Sequence, residues 1–210
     1  MPDVQIRPMP AASFERVVIE GPAGAIETEI NDPGPARRGL ALIAHPNPVQ
    51  GGTKDNKVVT TLAKVFYSCG YLAARPNFRG VGASAGAHDE GRGETEDLLE
   101  VVAYLFGRYG KLPLVLAGFS FGSFVQTRVA QRVAAQRLVL VGPAVNRFPT
   151  QAVPPDTLVI HGETDDVVPL QAVFDWARPQ ALPIVVVPGA GHFFHGQLGL
   201  LAQLVARQFH

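Results

Sequence analysis

The sequence predicts an α/β fold: a mostly parallel, twisted sheet with helices on both faces. Three observations carry this. Along the 210 residues, short apolar runs of strand length alternate with segments of helical periodicity. Some of those runs, such as LALIA at 40–44, are apolar at every position, as a strand buried on both faces requires. Proline and glycine fall mainly between the periodic segments, where they punctuate rather than interrupt. In sheets of this kind, reactive groups gather at the carboxyl ends of the strands.

The elements follow in order. Residues 14–20 and 26–30 read as an antiparallel pair around the turn Gly21-Pro22-Ala23-Gly24. Residues 40–44 form the next strand. Residues 57–68 carry Val58, Leu62, Val65 and Phe66 at helical spacing. A strand at 71–74 leads to a helix at 95–109, with Glu96 and Asp97 where the helix dipole favours negative charge. Then come a strand at 112–117, a helix at 121–134, and strands at 137–141 and 157–160. A helix at 168–177, a strand at 184–187 and a helix at 196–208 close the chain. The count is eight strands. The length suits one domain spanning 1–210.

Composition removes several functions. Apolar residues make up 47% of the chain, which excludes disorder. The 18 basic and 18 acidic residues cancel, and no basic stripe offers itself to nucleic acid. No run of about 18 apolar residues could span a membrane. Residues 1–10, with Asp3, Arg7 and three prolines, lack the apolar centre of a signal peptide. Cys69 is the only cysteine, so the fold needs no oxidising compartment, and a cytoplasmic location is expected.

The chemistry concentrates at GFSFG, residues 118–122. An apolar strand runs straight into it and a helix leaves it at once, the context that gives G-x-S-x-G its meaning. Ser120 would stand at a helix N-terminus on a strained turn, with glycines two before and two after to let strand and helix approach. Ser123 is the rival hydroxyl, but it lies within the helix and lacks the flanking glycines. A serine nucleophile needs a base within hydrogen-bond reach. His192 follows the last strand through the flexible turn Pro188-Gly189-Ala190-Gly191. His195 competes with it, and a metal pair of the two has no carboxylate or cysteine nearby to complete it. The supporting acid falls among Glu163, Asp165 and Asp166 at the end of one strand. Two backbone N–H donors must face the oxyanion. They fall on Phe121, next after the serine, and on Asn47, which alone keeps an N–H between Pro46 and Pro48. His45 is read as packing beneath that loop.

These pieces resemble the α/β-hydrolase superfamily: HPNP at His45, GFSFG around Ser120, HGETDDVVP from His161, and GAGHFF from Gly189. The resemblance places the acid on Asp165 and implies the α/β-hydrolase fold. The stretch NFRGVGASAG from Asn77 looks like a family loop that borders the site, with Arg79 read as a structural ion-pair partner. Small lidless bacterial serine esterase-like hydrolases related to the dienelactone hydrolase group look most similar; dienelactone hydrolase itself departs in having a cysteine nucleophile where Ser120 stands here. Relatives often insert a cap after the sixth strand. Here only 146–156 is available, with Pro149, Pro154 and Pro155 inside it, so no cap domain is expected. The glycine-rich loop 79–97 is a candidate for the missing wall.

The implied function is a serine carboxylesterase acting on a small-molecule ester, with no cofactor or metal. A serine aminopeptidase and a non-catalytic binding protein on the same scaffold are the competing readings. Oligomeric state leaves no signal in the sequence.

Overall fold

The computed structural model describes residues 13–209; the reading of residues 1–10 lies outside that range. Eight strands form one sheet: β1 (Ser13–Gly21), β2 (Gly24–Asp32), β3 (Gly39–Ala44), β4 (Tyr71–Pro76), β5 (Leu114–Phe119), β6 (Arg137–Val141), β7 (Leu158–Gly162) and β8 (Ile184–Val187). Their order is β1-β2-β4-β3-β5-β6-β7-β8. β1 pairs antiparallel with β2, and β2 antiparallel with β4; every later pair is parallel. This is the α/β-hydrolase architecture that the motifs imply.

The period-two pattern of the strands divides the core between two faces. Ala41 and Ile43 of β3 join Leu62 and Phe66 of α1 (Lys57–Ser68), and Leu201 and Val205 of α5 (Leu198–Ala206). Leu40 and Leu42, one register step away, join Leu98 and Leu105 of α2 (Arg92–Tyr109), and Phe124 and Val125 of α3 (Phe121–Val129). A smaller cluster under α4 (Leu170–Ala177) joins Val173 and Ala177 to Val159 of β7.

Five helix boundaries differ from expectation: α5 is two residues shorter at each end, and the other three have identifiable causes. α2 starts at Arg92, not 95, because the Glu94 carboxylate accepts N–H groups from Asp89 (2.9 Å) and Gly91 (2.8 Å) and caps the earlier turn. α3 ends at Val129, not 134. Its last turn tightens through Arg132 N–H to Val129 O (2.9 Å), and Gln136 N–H must already meet Leu114 O (2.7 Å) to start β6 beside β5. α4 starts at Leu170, not 168, because the Val167 and Val168 N–H groups bind Asp165 instead of opening a helix.

The connection from β6 to β7, residues 142–157, contains no helix. It lies against α3: the Phe148 ring stacks on Phe124 at 5.0 Å and meets Phe121 edge-on at 5.0 Å. Among the described residues, no cap covers the carboxyl ends of the strands. Loop 79–97 contributes no residue to the cleft at Ser120, although its His88 ring packs on Phe121 at 5.2 Å. It is drawn toward β2, where Ala85 N–H binds Ala25 O (2.8 Å) and Ala83 N–H binds the Glu27 carboxylate (2.9 Å). Arg79 and Asp97 close its ends as a two-bonded ion pair, at 2.7 and 2.8 Å.

Candidate active site

Ser120 occupies the turn between β5 and α3 at φ +54°, ψ −117°. Such a backbone costs on the order of 1–3 kcal/mol for a residue with a side chain. It is sustained by packing that only glycine permits. A Cβ on Gly118 would come within 2.4 Å of Gly122 O, and one on Gly122 within 2.3 Å of Ala44 O. Strand, turn and helix are therefore in backbone contact, and the serine is pushed out at the sheet's carboxyl edge.

His192 and Asp165, the expected base and acid, reach it from two later strand ends. Ser120 Oγ lies 3.0 Å from His192 Nε2. His192 Nδ1 lies 2.7 Å from Asp165 Oδ2. All three side chains are nearly buried. Burial opposes the charge on Asp165, but the bonds from His192 and from the Val168 N–H outweigh it and hold the carboxyl below its ordinary range. Asp165 Oδ1 accepts Val167 N–H (2.9 Å) and Val168 N–H (2.8 Å), which fixes the carboxylate's orientation. The imidazole of His192 leans on Phe119 at 4.9 Å between ring centres. Its turn is anchored by Phe194, which is fully buried in the core beneath α5.

The rival residues go elsewhere. Ser123 is buried and donates to Gly118 O (2.8 Å). His195 is exposed and touches the Phe193 ring. Asp166 is exposed, and Glu163 accepts the Gly189 N–H (2.8 Å), tying the β7 and β8 turns together.

Asn47 and Ser120 line one cleft of about 310 Å³, with Gln50, Gly52, Val167, His192 and Phe193. The Asn47 carbonyl accepts Gln50 N–H (3.1 Å) and Gly52 N–H (3.0 Å), so loop 47–52 is a closed turn. His45 supports it from below. Its Nε2 accepts Phe78 N–H (2.9 Å), so its Nδ1–H donates to Pro46 O (2.7 Å), and the ring is held neutral. Burial pushes its pKa down to about 4. The folded value lies below the unfolded one, so this stabilisation is complete above pH ~6.5 and is lost as pH falls through about 4. The share of His45 should be about 3 kcal/mol by pH 4. Urea unfolding at pH 7 and pH 4 checks it: His45→Gln should begin weaker than the native protein but lose less on acidification. Equal losses would assign the acid sensitivity to other groups.

Sequence reasoning passed over His161. Its ring is fully buried, with Nε2 2.9 Å from Val168 O and 3.4 Å from Asp165 Oδ2. Burial lowers its pKa and keeps it neutral. The signal was its place in HG just ahead of the carboxylates, but the fold of 165–168 onto the strand end is a tertiary fact.

A family model for the serine aminopeptidases, S33, matches residues 48–156. The chain belongs to this family, and with it to the α/β-hydrolase superfamily. The matched stretch holds Ser120 but ends before Asp165 and His192. Solved structures extend the likeness over the whole chain. A serine hydrolase without a lid from Xanthomonas campestris is 34% identical, covers 96% of this chain and 95% of its own, and superposes with a TM-score of 0.89. An α/β serine hydrolase homologue from Coxiella burnetii is 39% identical, with 93% and 97% coverage and a TM-score of 0.87. Among curated proteins, an uncharacterised protein of Rickettsia prowazekii is 28% identical over 85% of this chain and 82% of its own. The lysophosphatidylserine lipase ABHD12 of Gallus gallus is 33% identical over 51% of this chain, a match that spans 28% of that longer protein. Among the described residues, no helix is long and apolar enough to cross a membrane.

Proposed function

We propose that this family member cleaves small carboxylic esters through an acyl-enzyme, with Ser120 as nucleophile, His192 as base and Asp165 as the acid that orients it. The observation that carries the reading is the unbroken hydrogen-bonded line from Ser120 Oγ through the imidazole to Asp165, at 3.0 and 2.7 Å, set on a glycine-flanked elbow. Ser120 Oγ attacks the ester carbonyl while His192 Nε2 takes its proton. The alcohol leaves with that proton. Water, deprotonated by the same nitrogen, then releases the acyl group as a carboxylic acid. The ionised Asp165 holds the proton on Nδ1 and stabilises the imidazolium that forms.

The Phe121 and Asn47 N–H groups receive the oxyanion. Phe121 opens α3, and the first N–H groups of a helix have no acceptor within it. Asn47 keeps its N–H between two prolines and lines the same cleft as Ser120. The enzyme works in the cytoplasm, in keeping with the buried, unpaired Cys69.

The serine aminopeptidase name of the family favours a second reading, cleavage of a residue from a peptide N-terminus. An ammonium terminus calls for a carboxylate partner, and no Asp or Glu is among the residues lining this cleft. The ester reading therefore ranks first. The small cleft and the helix-free β6–β7 connection limit how much acyl chain can be enclosed. A buried methylene is worth about 0.8 kcal/mol, roughly fourfold in rate. That gain should stop early, with kcat/KM highest on acyl chains of about two to four carbons. Rates on C2, C4, C8 and C12 p-nitrophenyl esters, beside alanine p-nitroanilide, test both points. A steady rise to C12 would reveal a deep acyl pocket, and faster cleavage of the anilide would favour the peptidase.

A further inference from the structure

Ester cleavage as described leaves the cleft's one Lys, Arg, Asp or Glu residue unused. Arg147 lines the same cleft as Ser120 and His192. Its guanidinium has no hydrogen-bond, ion-pair or ring partner among the described residues. Other surface arginines are paired, Arg108 with Glu15, Arg132 with Glu96 and Arg178 with Asp175; the guanidinium of Arg207, exposed after α5, is likewise without a partner among the described residues, but it does not line the cleft.

The backbone that delivers Arg147 is held on both sides. Its own N–H binds Ala144 O (3.2 Å). Before it, the Asn146 side chain donates to Val167 O (3.3 Å), a bond across to the loop that carries Asp165. After it, Phe148 is wedged on Phe121 and Phe124. The start of the same connection lies against the catalytic imidazole: a Cβ on Gly142 would sit 3.3 Å from His192 Cε1. A fixed backbone thus carries to the cleft a cation with no partner among the described residues, and the cleft lining contains no carboxylate to neutralise it.

We infer that Arg147 selects esters that carry a second, anionic group, a carboxylate or a phosphate, within reach of the scissile bond. This rests on the ester-hydrolase reading of the same site. The guanidinium fork matches both oxyanions and binds either with two parallel N–H bonds. Arg147 is exposed, so water screens part of this contact and salt should weaken it.

Three acetates of one phenol ring test it: 4-acetoxybenzoate, its neutral carboxamide, and 4-acetoxyphenyl phosphate. The acyl group is common to all three. The leaving-group chemistry cancels when each variant is compared with the native enzyme on the same substrate. Arg147→Gln should lose at least about tenfold more kcat/KM on the two anions than on the carboxamide, and Arg147→Glu more again. The difference should shrink as salt is raised. A larger loss on one anion identifies whether carboxylate or phosphate is read. Equal losses on all three, or none on any, would overturn the role of Arg147 while leaving the hydrolase reading intact. If the native enzyme cleaves none of them and Ser120 takes no fluorophosphonate, the ester reading fails and this inference with it.

Discussion

Replacing Ser120 by alanine should lower kcat by about 10⁴ to 10⁶-fold on any ester the native protein cleaves. The substitution removes Oγ and its hydrogen bond to His192 and little else. Alanine keeps the same Cβ, so the strained turn at φ +54° is neither relieved nor worsened. The glycines that allow the turn are untouched, and the fold should survive. What activity remains would come from the oxyanion donors and from substrate binding. Steady-state kinetics of the purified variant, with circular dichroism to confirm the fold, measures the effect. Activity within tenfold of the native protein would remove Ser120 from the mechanism.

Asp165→Asn should cost on the order of 10³ to 10⁴-fold. The cause is the direction of a proton. Asp165 Oδ1 accepts two backbone N–H groups, and an amide oxygen can take that place. The amide NH₂ then falls where Oδ2 stood, facing His192 Nδ1. An N–H there forces Nδ1 to accept, moves the ring proton to Nε2, and leaves no lone pair for the Ser120 proton. Asp166→Asn should cost little, since that side chain is exposed and takes no part in the line. The reverse ranking would move the acid one residue along the chain. Because the Asp165 carboxyl is held below its ordinary range, loss of the carboxylate should not limit kcat/KM until the pH falls below the usual carboxylate range.

Much of this site could be read from the sequence because its signals are local. The glycines at 118 and 122 lie two residues either side of a serine between an apolar strand and a helix, and the backbone contacts they permit are a property of that turn. The turn before His192 is likewise punctuated by its own Pro188 and Gly189. What escaped reading depends on particular hydrogen bonds, some local and some across the chain, that periodicity does not show. The start of α4 is set by which N–H groups Asp165 claims. The end of α3 is set by where β6 must meet β5. Loop 79–97 looked free to cover the site because its glycines suggest mobility, but Glu27 and Ala25 of β2, more than fifty residues earlier, hold it away. His161 and Arg147 drew no notice as site residues, since neither sits in a spacing that implies chemistry.

Covalent trapping tests the central claim most directly. The protein should be treated with a fluorophosphonate, its intact mass measured, and the adduct mapped to a peptide. The account predicts one adduct per chain, on Ser120, absent from Ser120→Ala and formed slowly in Asp165→Asn, where the base is misdirected. No adduct on the native protein, or an adduct carried by Ser123 or another residue, would contradict it.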